Sequence, residues 1–315
     1  MTKRRLGRSD LMIEPLVLGT NVVGWTADEK TSFDIFDAAL AEGFNAIDTA
    51  DSYSRWIPGN DSESEKIIGR WIKARGNRDK VLVFTKVGSD MGQGHRDLTA
   101  KYIEQAVEAS LKRLQTDYID LYQSHWPDPR TPQEETLKAH DQLIKAGKVR
   151  FIGTSNHDEA LLTEALDISK RLGIPRYETV QNEFNLYNRD KFEGAVQDIC
   201  VREEISGIHY FGLAAGFLTG KYRTPEDARK SPRGKSAVEK YLNPKGLKIL
   251  AAMDNVAART GAAHAEIALA WVAAQPGVAA PIASATSVAQ VQSLIRGARL
   301  MLSEADLREL TEAGR

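Results

Sequence analysis

The sequence of 315 residues contains a single cysteine, Cys200. An intrachain disulfide is therefore excluded, and a reducing compartment, the cytoplasm, is the expected location. An excess of one charge is also missing, since 42 Lys+Arg stand against 43 Asp+Glu for a formal net charge of -1. That balance argues against a nucleic-acid partner, which usually shows as a basic excess or a basic face. There is no run of about 18 apolar residues, so no membrane span is expected. The opening MTKRRLGRSDLMIEP carries charge without a following apolar stretch of signal-peptide length. The histidines His95, His125, His140, His157, His209 and His264 show no paired ligand spacing, so no metal site is expected. No G-x-G-x-x-G turn follows a strand, which removes the Rossmann dinucleotide fingerprint. The lookalike Gly19-Thr20-Asn21-Val22-Val23-Gly24 lacks its acidic partner in the right context.

What the chain does have is alternation. Short apolar, β-rich runs occur at Leu16–Thr20, Ala46–Ala50, Val81–Val87, Tyr118–His125, Val149–Asn156, Tyr177–Phe184, Ile205–Gly212 and Val278–Ala285. Their apolar content is nearly continuous, as expected of strands covered on both faces. Helical spacing lies between them, at Ser32–Ala41, Glu63–Lys73, Thr99–Leu114, Gln133–Ala146, Glu159–Leu172 and Arg189–Glu203. In Thr99–Leu114 the residues Tyr102, Ile103, Ala106, Val107, Leu111 and Leu114 form one stripe, with Thr99 placed to cap it. Gly147 and Gly173 stand where helix C-caps belong.

Six of the gaps between successive strand ends run from about 25 to 39 residues, the length of one βα unit each. The seventh is about 75 residues. It holds the polar stretch Thr224–Gly246 and then helices near Leu247–Thr260 and Ala263–Ala274. The stretch reads as an insertion after the seventh strand, lying over a ligand or against a neighbour. Eight strands alternating with helices favour a closed (β/α)8 barrel over a doubly wound open sheet, in one domain spanning 1–315.

Polar residues interrupt these runs at their C-terminal ends. They are Asp48, then Tyr53 on the following loop, Lys86, His125, Ser155 with Asn156, and Gln181. Singly, each has a dull explanation: a turn cap, a wall aromatic, a hydrogen-bonded core histidine. Lys86 is the hardest to dismiss, because a buried cation is costly unless it is paired. In a barrel all of these ends share one mouth, where such folds place their active sites. A lysine ammonium beside a tyrosine favours the phenolate and should lower its pKa. Such a tyrosine exchanges a proton with an alkoxide. Asp48 is the candidate counterion for Lys86. Carbonyl–alcohol interconversion fits the set, and the hydride, which no side chain supplies, points to a nicotinamide cofactor. Gln181 and Asn156 suit its carboxamide and Tyr210 its ring. Leu213–Lys221 supplies small residues with Lys221 for a pyrophosphate, and a helix start follows Ser284–Ser287.

Several motifs together resemble the aldo-keto reductases over nearly the whole chain. NAIDTADSY at Asn45–Tyr53 matches the family's D-T-A-x-x-Y, VFTKV carries its lysine and DLYQSHWPD its histidine. GKVRFIGTSNH, QNEFNLYNR and LAAGFLTGKY match further signatures, and RRLGRSDLMIEPLVLGT resembles the N-terminal β-hairpin and first strand. The resemblance implies an NAD(P)-dependent oxidoreductase acting on an aldehyde, ketone or sugar. Its implied catalytic residues are Asp48, Tyr53, Lys86 and His125. The expected cofactor contacts are Gly19, Thr20, Asp48, Ser155, Asn156, Gln181, Tyr210, Leu213, Gly216, Leu218, Lys221, Ser284 and Gln290. Where relatives offer cations and an Asn to the adenosine 2′-phosphate and adenine, this chain has Ser284, Gln290 and Leu294, with Arg296 nearby in sequence. NADP(H) is the expected cofactor, and NAD(H) stays open. Phe211-Gly212 replaces a common Ser-Pro, which should alter the loop over the pyrophosphate.

Trp25, Trp56 and Trp126, with Tyr53 and His125, should wall the substrate pocket, and Arg55 either meets a polar group or faces water. Two other functions use the same residues. One is a cofactor-binding regulatory subunit resembling those of potassium channels. The other is a lyase forming a Schiff base at Lys86.

Overall fold

The computed structural model describes residues 3–315. Ten strands occur in it: β1 (Arg4–Arg5), β2 (Met12–Ile13), β3 (Val17–Gly19), β4 (Ala46–Asp48), β5 (Leu82–Val87), β6 (Ile119–Ser124), β7 (Val149–Ser155), β8 (Tyr177–Gln181), β9 (Ser206–His209) and β10 (Val278–Ala283). Strands β3 to β10 pair in parallel and in chain order, and β10 returns to β3 to close the barrel. Each of the eight apolar runs is one barrel strand, so the (β/α)8 expectation holds.

Strands β1 and β2 form the expected antiparallel hairpin. Leu6, Leu11 and Ile13 from this segment pack with Val17, Ala46, Leu121 and Ala280 inside the barrel. The Gly7 N–H donates to Ser206 Oγ and the Arg8 N–H to Glu178 Oε2, both near strand starts. The hairpin therefore closes the N-terminal end with apolar side chains, and the polar strand ends are left at the opposite mouth.

The helices are α1 (Glu29–Ala41), α2 (Glu63–Arg75), α3 (Ala100–Leu114), α4 (Gln133–Lys145), α5 (Glu159–Leu172), α6 (Ala195–Glu203), α7 (Gly234–Tyr241), α8 (Pro244–Thr260), α9 (His264–Ala273), α10 (Val288–Arg299) and α11 (Glu304–Ala313). Thr99 caps α3 by accepting from the Tyr102 N–H, and Gly173 ends α5 in the left-handed conformation. Three helix starts differ from expectation for local reasons, the first being α1, which begins at Glu29 rather than Ser32 because the Asp28 side chain caps it by accepting from the Thr31 N–H. Helix α6 begins at Ala195 rather than Arg189, because Gly194 adopts φ 90, ψ -129, which no helix interior accommodates. Helix α8 begins three residues earlier than expected, with Pro244 in its first turn and the Asn243 side chain accepting from the Gly246 N–H.

The long connection after β9 is folded, not loose. It contains 3₁₀ turns at Ala214–Thr219 and Pro225–Lys230, then α7. Phe217, Leu218, Tyr222, Ala237 and Tyr241 bury themselves against α8 and α9. This apolar anchor holds the connection beside the mouth. Among the described residues no helix is long and apolar enough to cross a membrane.

Candidate active site

Barrel register sets the site. Asp48 lies beside Gly19, Lys86 beside Gln123, and Ser155 beside Gln181. Lys86 is fully buried. Its Nζ donates to Asp48 Oδ2 at 2.6 Å, to the Thr49 carbonyl at 2.7 Å and to Tyr53 Oη at 3.0 Å. An ammonium has three N–H groups, and all three are engaged. Burial pushes the Lys86 pKa down, but Asp48 and Tyr53 outweigh it and the net direction is upward. Asp48 Oδ1 accepts from Gln123 Nε2 (3.2 Å) and Gln181 Nε2 (3.0 Å). Both members of the buried pair are thus fully bonded, the condition under which such a pair is tolerated.

The sequence reading expects Lys86 to depress the Tyr53 pKa. The structure reverses the net direction. Burial raises it and outweighs the pull of Lys86, while Asp48 adds to the rise. Tyr53 is therefore protonated at neutral pH. Its oxygen accepts from Lys86, and its hydroxyl also feels the Asp48 carboxylate, on the wall of the cleft. His125 stands nearby, with ring centroids 6.0 Å apart. Burial, then the charges of Lys86 and Arg96, hold its pKa well below the ordinary value, so the ring is neutral.

The next group runs around the wall. Ser155 Oγ donates to the Gln181 carbonyl at 2.6 Å. Asn156 takes φ 60, a left-handed conformation that Asn tolerates better than most residues. It donates to the His125 carbonyl and to Ser155 Oγ, and accepts from Tyr210 Oη at 2.7 Å. Gln181 Nε2 is engaged by Asp48 and Gln123, which leaves its Oε1 as an acceptor. At the seam between β3 and β10, a Cβ on Gly19 would lie 2.8 Å from Ser284 Oγ and 2.9 Å from Ile282 Cγ2, so a larger residue would push these side chains aside. Ser284 bonds across the mouth to Asn21 at 2.7 Å.

These residues border a cleft of about 880 Å³. Gly19, Thr20, Asp48, Tyr53, His125, Ser155, Asn156, Gln181, Tyr210, Leu213, Gly216, Lys221, Ser284 and Gln290 all line it. Lys86 lies beneath it, reaching it through Tyr53. Leu218 does not line it. That side chain is fully buried with Phe217 and Tyr241, because the 3₁₀ turn directs it into the second apolar cluster. Gln290 Oε1 is engaged in accepting from the Thr286 N–H and Oγ1. Arg296 bonds Glu266 at 2.8 Å instead of reaching the cleft.

Trp25, Trp56 and Trp126 all line this cleft. Trp25 meets Trp56 edge-on at 5.8 Å, and Trp126 stacks on His125 at 5.6 Å. Arg55 is not among the residues lining the cleft. It holds its own loop, bonding Asp61 at 2.6 Å and the Met91 carbonyl at 2.9 Å. Phe211 takes φ 58 and is partly exposed on the cleft wall.

Sequence reasoning missed three features. Gln123 completes the hold on Asp48, and its signal was a glutamine inside the apolar run of β6. Lys230, Ser231, Pro232 and Arg233 of the insertion line the cleft, with Arg233 stacked 5.2 Å over Trp25. Lys230 is tied to Asp227, whereas among the described residues neither Lys221 nor Arg233 pairs with a carboxylate. The one carboxylate on the cleft wall, Asp48, is already matched by Lys86. The cleft thus carries uncompensated positive charge. Finally, Asp51 is buried with no protein partner on either oxygen.

A barrel with a Lys-anchored Tyr, a neutral His and an anion-ready cleft defines a class of oxidoreductase. The Aldo/keto reductase family profile matches residues 15–315, and the chain belongs to that family. It is similar to "Protein tas" of Escherichia coli (strain K12), with 33% identity covering 98% of this chain and 96% of that protein. It is also similar to "Aldo-keto reductase YhdN" of Bacillus subtilis (strain 168), at 35% identity over 93% of this chain and 87% of that protein. A "Probable voltage-gated potassium channel subunit beta" of Arabidopsis thaliana is 31% identical over 93% of this chain and 89% of that protein.

Proposed function

We propose that the chain, as one domain spanning 1–315, is a cytoplasmic NAD(P)-dependent reductase of small aldehydes or ketones, working in reverse on the alcohols or on sugars. The observation that carries this is the bonding of Lys86. All three of its N–H groups are engaged, one of them by the Tyr53 oxygen, which holds the Tyr53 hydroxyl in place on the cleft wall as the proton donor.

The residues present fit a nicotinamide dinucleotide. Gln181 keeps a free acceptor, Tyr210 offers a ring face, Gly19 and Gly216 leave room for a backbone-close approach, and Lys221 and Arg233 meet phosphate charge. When bound, that cofactor supplies the hydride. In reduction, Tyr53 gives its proton to the carbonyl oxygen as negative charge develops there. His125 holds that oxygen, and the charged Lys86 steadies the tyrosine oxygen left behind. The tryptophan walls exclude water and favour a substrate with an apolar or ring-shaped body. The cations of the insertion support NADP(H), even though Ser284, Gln290 and Leu294 carry no charge.

The test is Tyr53→Phe. Turnover with an aldehyde panel should fall by about 100-fold or more, while NADPH still quenches tryptophan fluorescence with near-native affinity. A variant within a few-fold of the native rate would overturn the role of Tyr53. The same bonding argues against a Schiff-base lyase, since Lys86 is held as a charged ammonium with no free N–H. The likeness to channel subunits is compatible with a cofactor-binding barrel, but the complete catalytic set favours turnover.

A further inference from the structure

Ser52 and Ser89 stand outside the four residues of the proposed mechanism, yet both face it. Ser52 immediately precedes Tyr53 in the same turn, and Ser89 lies in the loop after β5. Ser52 Oγ donates to Ser89 Oγ at 3.3 Å, and Ser89 Oγ lies 2.9 Å from His125 Nδ1. Ser89 is nearly buried, 8% exposed. The other hydrogen bonds of its loop, from the Met91 N–H to Gln93 Oε1 and from Gln93 Nε2 to the Ser89 carbonyl, leave its hydroxyl alone.

A serine hydroxyl has one proton to give. Ser52 already donates to the Ser89 oxygen, so the Ser89 proton finds its acceptor in His125 Nδ1. The opposite arrangement, with Nδ1–H donating to Ser89, would strand the Ser89 proton in a nearly closed site, which is disfavoured. A neutral imidazole carries its single proton on one nitrogen, and the hydrogen bond at the other nitrogen decides which. We infer that Ser52 and Ser89 are positioning residues that fix His125 as the Nε2–H tautomer, with that N–H turned toward a substrate's carbonyl oxygen. The relay starts in the Tyr53 turn and ends on His125. It therefore ties together the two groups that would meet the same oxygen. Its functional half rests on the reductase reading above.

The experiment uses the full chain labelled with ¹⁵N histidine. In the free native protein, His125 should show the Nε2–H tautomer. Ser89→Ala should give a mixture of tautomers, and turnover should fall by at least about tenfold, as expected when a catalytic histidine is not held in one tautomer. NADPH affinity should stay within twofold. Ser89→Thr restores the hydroxyl and should return both the tautomer and most of the turnover, while Ser52→Ala should fall between. An Ser89→Ala protein that keeps pure Nε2–H, or keeps native turnover with mixed tautomers, would overturn the inference. Equal damage in Ser89→Ala and Ser89→Thr would point to packing alone and overturn it too. The spectrum is read without turnover, so failure of the relay and failure of the reductase reading remain distinguishable through the Tyr53→Phe assay.

Discussion

At the residue scale, one side chain explains another. Lys86 is legible in the sequence because a cation that ends an apolar strand needs a partner, and Asp48 is the nearest candidate. The direction of the Tyr53 pKa was not legible. It depends on how far burial outweighs one ammonium, which requires coordinates. Asp51, in the same turn, shows this more sharply. It is buried without a protein partner, and its pKa is pushed up to about 8 by burial and by Glu65, against the opposing charges of Arg113 and Lys86. Tyr102 and Tyr122 also face it. An acid with a raised folded-state pKa keeps its proton in the native state while the unfolded chain loses it. This group therefore makes the native state less stable as pH rises from about 4 to 8. Asp51→Asn cannot ionise. Relative to the native chain it should gain stability on the order of 3 kcal/mol between pH 5 and pH 8, read from urea unfolding at each pH. Parallel pH curves for the two proteins would remove Asp51 as the source.

At the element scale, the insertion after β9 is the informative piece. Its length and polarity mark it as an addition to one βα unit. Its apolar residues, Phe217, Tyr222 and Tyr241, fix it beside the mouth. Only that docking brings Arg233 onto Trp25, two residues about 200 positions apart in sequence. Helix α10, where the family resemblance would look for phosphate cations, offers none to the cleft, since Arg296 is held by Glu266 and Arg299 by Glu42. Two arginine variants separate these elements. Arg233→Ala should weaken NADPH binding by about tenfold, the loss of one charge-assisted contact. Arg296→Ala should leave it within about twofold. Fluorescence titration at fixed salt checks both, and equal effects would return the phosphate contact to α10.

At the scale of the whole molecule, barrel closure makes one cooperative interior from strands that share few local contacts. Cys200 is a natural probe of it. Its thiol is buried in the second apolar cluster, with its pKa pushed up to about 12 by that burial. It should resist a thiol reagent in the native state and react only as the structure opens. Its labelling in urea should follow the same midpoint as loss of helical circular dichroism. Labelling well below that midpoint would mean that the α6 region opens separately.

The sequence alone determined the strand count and the order of the βα units, because apolar runs are local patterns with a fixed period, while the four central residues were singled out among the polar strand ends only by the resemblance of their motifs to a known family. It also determined that Cys200 pairs with no second cysteine. Tertiary structure decided the rest. It placed Gln123 and Gln181 on one carboxylate oxygen, turned Leu218 into the core and brought Arg233 to the cleft. It also set Ser52 and Ser89 in line with His125. The physical reason is the same in each case. Burial, hydrogen-bond direction and net charge at the mouth are properties of side chains that meet only once the barrel has closed.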